Sequence, residues 1–491
     1  MRTHGIFFLI LAAATCGFWE TPAQAATTRW EDSIVTLDVA RKDYDFRQPW
    51  NTRTRSTTKT GVVVGEHEIL TTADELFDRT LVRIQKGGGG EWWAGQVAWI
   101  DYHANLAVIT ADSNAFWQGL RPVQFGSATK DKNWRIARWR QGNLEVRQAE
   151  FTVFAVRLAE LSDVNYVTLG CDSDIQGLRG GEPILANNHC VGLVTSQSGR
   201  SCVATPASMI EFILKARRAN TYHGLGYFHW IWQPAVNTDS LRRFQLTGPP
   251  RGVIVIDVPA RRDGVEQVVK PGDVILQVAG FDVDTVGNYR DPEFGLIMLE
   301  NLSTRKRCAG DEVPLKILRD GKELEVSYRL PKYEYNLSLV PAARYDREPE
   351  FFSVGGLVFQ PLDREFLETW GADWQKNAPM RLSYYHGQPV TERPALVVLS
   401  QVLPDPYNTG YQEQRYLVVD KVNGTLISRV QQIQEALKHP VNGFHIIEYM
   451  RGDSLQRMVL RAGAVESEAT ERTLKRYGIP QAFRFTPDSA Q

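Results

Sequence analysis

The chain has five cysteines in 491 residues, none of them in a Cys-x-x-Cys pair, and it has no His-Glu-x-x-His. Both absences remove the usual zinc signatures, so no metal and no other cofactor is expected. There is no long basic block, and 56 Lys and Arg nearly cancel 57 Asp and Glu. Neither nucleic acid nor an anionic membrane is therefore an expected partner. Beyond the N-terminal leader no apolar run reaches bilayer-spanning length, so no integral membrane segment is expected once the leader is removed. One further absence is local. The glycine-rich turn Gly177-Leu178-Arg179-Gly180-Gly181-Glu182-Pro183, followed by apolar Ile184-Leu185, contains no serine.

The leader itself is legible. Arg2 and His4 precede an apolar run from Gly5 to Trp19, and Ala23-Gln24-Ala25 supplies a small-x-small cleavage site. Residues 1–25 are read as a signal peptide, with the mature chain beginning near Ala26 in the periplasm or outside the cell. Acylation of Cys16 is the rival reading, and Thr15 is a poor residue before such a cysteine. Export places Cys171, Cys190, Cys202 and Cys308 in an oxidising compartment. Cys190 and Cys202 flank a polar turn between apolar strands, so a cross-strand disulfide there is one option. Four buried free thiols are the other.

A chain this long needs more than one core, and 43% hydrophobic with 23% charged residues is ordinary globular composition. From Trp30 to about Arg217, short runs such as Ser33–Val39, Gly61–Val64, Leu106–Thr110 and Val191–Val194 alternate with turn residues. A helix over Pro206–Arg218 closes that segment. A second unit opens with Gly224-Leu225-Gly226-Tyr227. It carries a helix candidate near Asp291–Leu302 and ends on a hairpin turned at Asp320-Gly321. Polar residues near Tyr345–Glu350 suggest a linker. A third unit begins Val354-Gly355-Gly356-Leu357, includes an amphipathic helix near Ser428–Leu437, and runs into a partly helical tail. The second and third units share an order of elements, as a diverged repeat would.

Three stretches carry a wider likeness. They are Gly61 to Asp74 (with Ile69-Leu70-Thr71-Thr72-Ala73-Asp74), Asn105-Leu106-Ala107-Val108-Ile109, and Ser400-Gln401-Val402-Leu403 with Asn408-Thr409-Gly410-Tyr411. Taken with the glycine-rich turn, they resemble the Do/Deg (HtrA-like, high-temperature-requirement) serine proteases, and in particular the subgroup that ends in a Do-like PDZ domain. The likeness spans roughly Trp30 to Phe485. It implies a mainly β chain: a trypsin-like double β-barrel followed by two PDZ-type α+β domains. The corresponding boundaries are 26–218 for the protease-like domain, 219–335 for the first PDZ domain, and 346–491 for the second with its tail.

The family's catalytic residues do not carry over. Asp74 stands at the histidine position and Asn105 at the aspartate position. The nucleophile position is Gly180 if the loop is read back from Pro183 without a gap, or Arg179 if Glu182 is an insertion. Acyl transfer needs a hydroxyl, an imidazole that takes its proton, and a carboxylate that orients the imidazole. None of the three stands at its own position. In one reading the cleft is plugged, with Asn105 donating its amide to Asp74 and Arg179 pairing with the Asp74 carboxylate. In the other, three positions have drifted independently. The expected function is that of an inactive protease homologue, and an active serine endopeptidase is the alternative.

The remaining expectation concerns polypeptides or protein C-termini. A PDZ domain binds a terminal carboxylate on loop N–H groups and pairs the peptide with the strand that follows. Leu225, Gly226 and Tyr227 have that loop's form, with a facing wall expected from a helix carrying Leu296, Ile297 and Leu299. The resemblance also implies a homo-oligomer, a trimer or a multiple of one, with the last unit serving assembly.

Overall fold

The computed structural model describes residues 30–128, 133–158, 161–390, 393–452 and 455–486. The signal-peptide reading of residues 1–25 lies outside them.

The chain is mainly β, as expected. Its first sheet has seven strands in the spatial order Trp93–Ala94, Arg79–Lys86, Ile34–Tyr44, Thr52–Gly65, Glu68–Thr71, Leu106–Thr110 and Gln96–Asp101. Alternation builds it. Val35, Leu37 and Val39 point to one core with Ile69, Ile84 and Phe116, while Ile34 faces the other side. A second set of six strands closes into a barrel, in the order Asn165–Ser173, Ser201–Pro206, His189–Ser198, Pro183–Ala186, Trp134–Arg140 and Asn143–Leu158. The helix Ala207–Arg218 lays Met209, Ile210, Ile213 and Leu214 across the seam between the two. Arg217 and Arg218 in its last turn both pair with Glu68.

The second unit is a six-stranded sheet that includes Ile231–Gln233, Val253–Asp257, Val274–Val278, Glu312–Arg319 and Lys322–Arg329. The helix expected over Asp291–Leu302 is not formed. A hairpin of Asn288–Asp291 and Gly295–Met298 stands there, followed by a short 3-10 turn, Leu299–Ser303. The reason lies in Asp291-Pro292. Proline steers the residue before it away from helical torsions. The fully buried Asp291 carboxylate accepts from the N–H groups of Glu293 and Phe294 and from the Tyr289 hydroxyl, and it pairs with Arg305. Gly295 then turns the chain at φ +80°. The hairpin docks on the barrel through Phe294, whose ring lies 5.0 Å from that of Phe154.

The third unit is an eight-stranded sheet in which Leu357–Pro361 lies between Val397–Val402 and Phe351–Val354. The tail contributes the outer strand Phe483–Arg484 beside Phe351–Val354, after the helix Ala464–Tyr477. The expected linker is pinned rather than loose. Tyr345 packs 4.4 Å from Tyr102, and Asp346 accepts from the Tyr102 hydroxyl and the Asp78 N–H.

This seam makes stability pH-dependent. Burial first, and the neighbouring Asp346 carboxylate second, push Asp78 up to about 6. Burial likewise pushes Asp363 up to about 6. Between its ordinary pKa near 4 and 6, each group holds a proton in the folded chain that it lacks when unfolded. Its contribution is therefore full below pH 4 and lost as pH rises through 6. Urea denaturation is expected to show higher stability at pH 5 than at pH 7.5. Asp78→Asn should remove about 1 kcal/mol of that difference, a figure discounted because Asp78 is only half-buried. An unchanged pH slope in the variant would refute the assignment.

Candidate functional site

The pairing of Glu68–Thr71 with Leu106–Thr110, in the register Thr71 opposite Ala107, brings the residues beyond their ends together. Asp74 and Asn105 meet there. Asn105 sits at φ +49°, and its Oδ1 accepts from the Asp74 backbone N–H at 3.0 Å. The expected contact, an Asn105 amide donated to the Asp74 carboxylate, is not made. Asn105 Nδ2 is buried without a hydrogen-bond partner among the described residues.

The expected arginine plug is not made either. Asp74 pairs with Lys59, and Arg179, whose side chain is exposed, makes no ion pair with Asp74 among the described residues. Lys59 projects from Thr52–Gly65 with its side chain wholly buried. Its Nζ donates to Thr72 Oγ1 at 2.8 Å, to Asp74 Oδ1 at 2.8 Å and to the Asp74 carbonyl at 2.7 Å, with the Arg179 carbonyl at 3.2 Å. A buried ammonium requires this many acceptors to offset its lost hydration.

The glycine-rich loop lies across that ammonium. A Cβ on Gly180 would stand 3.1 Å from Asp74 Oδ1, 3.3 Å from Lys59 Nζ and only 2.5 Å from Thr72 Oγ1. Of the two candidate positions, Gly180 is thus the one that faces Asp74. Both N–H groups just before it are taken by side chains. Leu178 N–H donates to Gln197 Oε1 at 3.0 Å, and Arg179 N–H to Glu182 Oε1 at 3.1 Å. Glu182 is buried, which raises its pKa, and its second carboxyl oxygen has no partner among the described residues. A cavity of about 440 Å³ opens beside the loop, lined by Lys59, Arg138, Arg140, Arg179, Trp92 and Trp139 among others.

The peptide-loop candidates lie at the base of the second unit. Leu225 is 3% exposed and packs with the helix Ala207–Arg218 in the core at the seam, so it faces the protease-like half. Gly226 bridges to Lys332, and a Cβ there would lie 2.9 Å from Leu330. The Tyr227 hydroxyl is 3.0 Å from His229 Nδ1. The helix expected to face them is not formed, since Leu296 and Ile297 are in the hairpin and Leu299 is in the 3-10 turn. Among the described residues the strand after the loop, Ile231–Gln233, is nevertheless an edge, paired on one side only with Val253–Asp257. The equivalent loop of the third unit is closed. Gly355 N–H donates to Thr470 Oγ1 of the C-terminal helix, and Leu357–Pro361 already has a neighbour on each side.

A family model described as a PDZ domain matches residues 340–483. The mitochondrial Do-like 3 of Arabidopsis thaliana is 24% identical over 418 residues, 83% of this chain and 72% of that one. Protease Do-like 2, chloroplastic, of the same organism is 23% identical over 476 residues, 94% of this chain and 76% of the relative. These relatives are Do-like proteases, and the chain is similar to the Do/Deg (HtrA-like) proteases over most of its length. Among solved structures, the HtrA-type protease AlgW with decapeptide is 14% identical, covering 62% of this chain and 97% of its own, at a TM-score of 0.46.

Lys59 is a residue of this site that motif comparison missed, because it lies outside the three matched stretches. A signal was nonetheless present. In Thr52–Gly65 the buried side begins at Thr57 and continues at Lys59, so a lysine occupies an inward position of an alternating strand. Such a lysine needs a carboxylate within reach, and the half-buried Asp74 supplies one.

Proposed function

We propose that this Do/Deg-like chain is a non-catalytic, exported protein that binds polypeptides and acts as a chaperone, scaffold or regulator. The carrying observation is the Lys59–Asp74 pair at 2.8 Å, directly opposite Gly180. A protease needs a hydroxyl and a free base at these positions, and here a glycine faces an ammonium neutralised by a carboxylate. Gly180 also sits at φ +86°, a conformation that a serine rarely adopts. One of the loop amides that would be needed to hold an oxyanion, that of Leu178, is engaged by Gln197. Loss of a triad as a unit costs about six orders of magnitude in turnover.

Polypeptide binding is assigned to the loop at Gly226 and Tyr227 together with the unpaired edge of Ile231–Gln233, where a peptide adds as a further strand. Leu225 seats that loop on the protease-like half. The closed third unit fits an internal or assembly role in a homo-oligomer, a trimer or a multiple of one, in the periplasm or outside the cell.

One experiment reads both halves of the proposal. Immobilised mature chain is incubated with casein and with a fluorophosphonate probe specific for active serines. Casein should be retained intact, and no probe should attach. Cleavage or labelling that maps to this chain would establish the active endopeptidase instead, and casein passing through unretained would remove the binding role.

A further inference from the structure

All four described cysteines are buried free thiols. Of the two readings that spacing left open, the Cys190–Cys202 disulfide is ruled out by register. Cys202 lies opposite Gln197 on His189–Ser198, whereas Cys190 lies opposite Leu185 on the other side of that strand. Seven residues separate Gln197 from Cys190 along the strand. At about 3.3 Å per residue this places the two cysteines about 20 Å apart, far beyond disulfide reach.

The register supplies a different partner. Asn165–Ser173 pairs with Ser201–Pro206 so that Leu169 opposes Ala204, Gly170 opposes Val203 and Cys171 directly opposes Cys202. Residues opposed in an antiparallel ladder have Cα atoms about 4.5–5.5 Å apart, inside the range that a disulfide spans without backbone movement. Both side chains point into the barrel core at 0% exposure. The contact between the sulfurs raises the Cys171 thiol and lowers that of Cys202, so Cys202 gives up its proton first. Cys202 also stands opposite Gln197. The Gln197 amide accepts from Leu178 N–H and donates to the Ile175 carbonyl, fastening the glycine-rich loop to the barrel.

We infer that Cys171 and Cys202 are a cross-strand redox couple, forming a disulfide beneath the glycine-rich loop when the chain meets a disulfide oxidant. The chemistry is thiol–disulfide exchange. The Cys202 thiolate attacks one sulfur of a small-molecule disulfide such as glutathione disulfide, forming a mixed disulfide and releasing one glutathione thiolate. The Cys171 thiolate then attacks the Cys202 sulfur and expels the second glutathione. Two protein thiols are oxidised, one glutathione disulfide is reduced to two glutathiones, and the two protons lost by the cysteines end on those thiols. Because both sulfurs are buried, exchange proceeds while the barrel is closing or locally open. The inference rests on strand register alone and is independent of whether the chain is a protease.

The test is to refold the full mature chain in glutathione buffers from fully reduced to fully oxidised. Free thiols are trapped by alkylation in denaturant, and a non-reducing peptide mass map is recorded. A linked peptide pair containing Cys171 and Cys202 is expected at oxidising ratios, with Cys190 and Cys308 alkylated throughout. Oxidation should raise the thermal midpoint by about 5 °C, and by nothing in Cys171→Ala or Cys202→Ala. Alkylation of both residues at every ratio, or a link between any other pair, would overturn the inference. The mass map of the unsubstituted chain decides this even if a variant fails to fold.

Discussion

Lys59→Met is expected to destabilise the folded chain by about 3 kcal/mol, the cost of removing one partner from a buried ion pair. Methionine fills nearly the same volume, so the loss is not one of packing. It leaves the Asp74 carboxylate, only 18% exposed, without a cation. It also orphans Thr72 Oγ1 and the carbonyls of Asp74 and Arg179, each of which now accepts from the ammonium. A double-mutant cycle separates these terms. Asp74→Asn in the methionine background removes the uncompensated charge and should recover about half of the loss, whereas Asp74→Asn alone should itself destabilise. Urea denaturation of the four proteins measures the coupling. A coupling near zero would mean that Lys59 and Asp74 are neighbours without being partners, and the physical basis for the filled cleft would go with it.

Gly181→Ala should cost more, about 4 kcal/mol, through two additive causes. Gly181 sits at φ +93°, where a residue with a Cβ is strained by about 1–3 kcal/mol. The added Cβ would also lie 2.0 Å from the Thr60 carbonyl oxygen and 2.6 Å from Thr71 Oγ1. The first of these is backbone within a sheet and cannot rotate aside, so the loop must lift from the cleft floor. Gly177→Ala provides the control. Its φ of +71° is similarly left-handed, yet nothing lies within 4 Å of its Cβ, so only the torsional cost of about 1 kcal/mol remains. Equal destabilisation of the two variants would mean that close approach contributes nothing at Gly181.

These two residues show where the sequence was readable. Glycines in a turn before Pro183 announced a special backbone, and the motif context named Asp74, Asn105 and either Gly180 or Arg179 as facing positions. Lys59 was missed because its partner lies 15 residues away in sequence, in the turn beyond the strand Glu68–Thr71. The hairpin that displaced the expected helix had its signal in Asp291-Pro292 and Gly295, but apolar Leu296, Ile297 and Leu299 also fit a helical stripe. Periodicity over so few residues does not separate the two. The cysteine pairing that spacing left open has a similar origin. Spacing placed Cys190 and Cys202 on adjoining strands without stating their register.

What the sequence determined by itself is local. Alternating apolar residues set the strands of the first half, Asp320-Gly321 set a hairpin, and the absence of a serine, an imidazole and a carboxylate from three motif positions removed the usual chemistry. Tertiary structure alone decided what replaced it: an ammonium from Thr52–Gly65 on Asp74, side chains on the loop amides, a tail strand beside Phe351–Val354, and Cys171 facing Cys202. The physical reason is the range of the forces. Torsional preference and burial periodicity act within a few residues, whereas charge pairing and strand register join groups that only the folded chain brings within 3–5 Å.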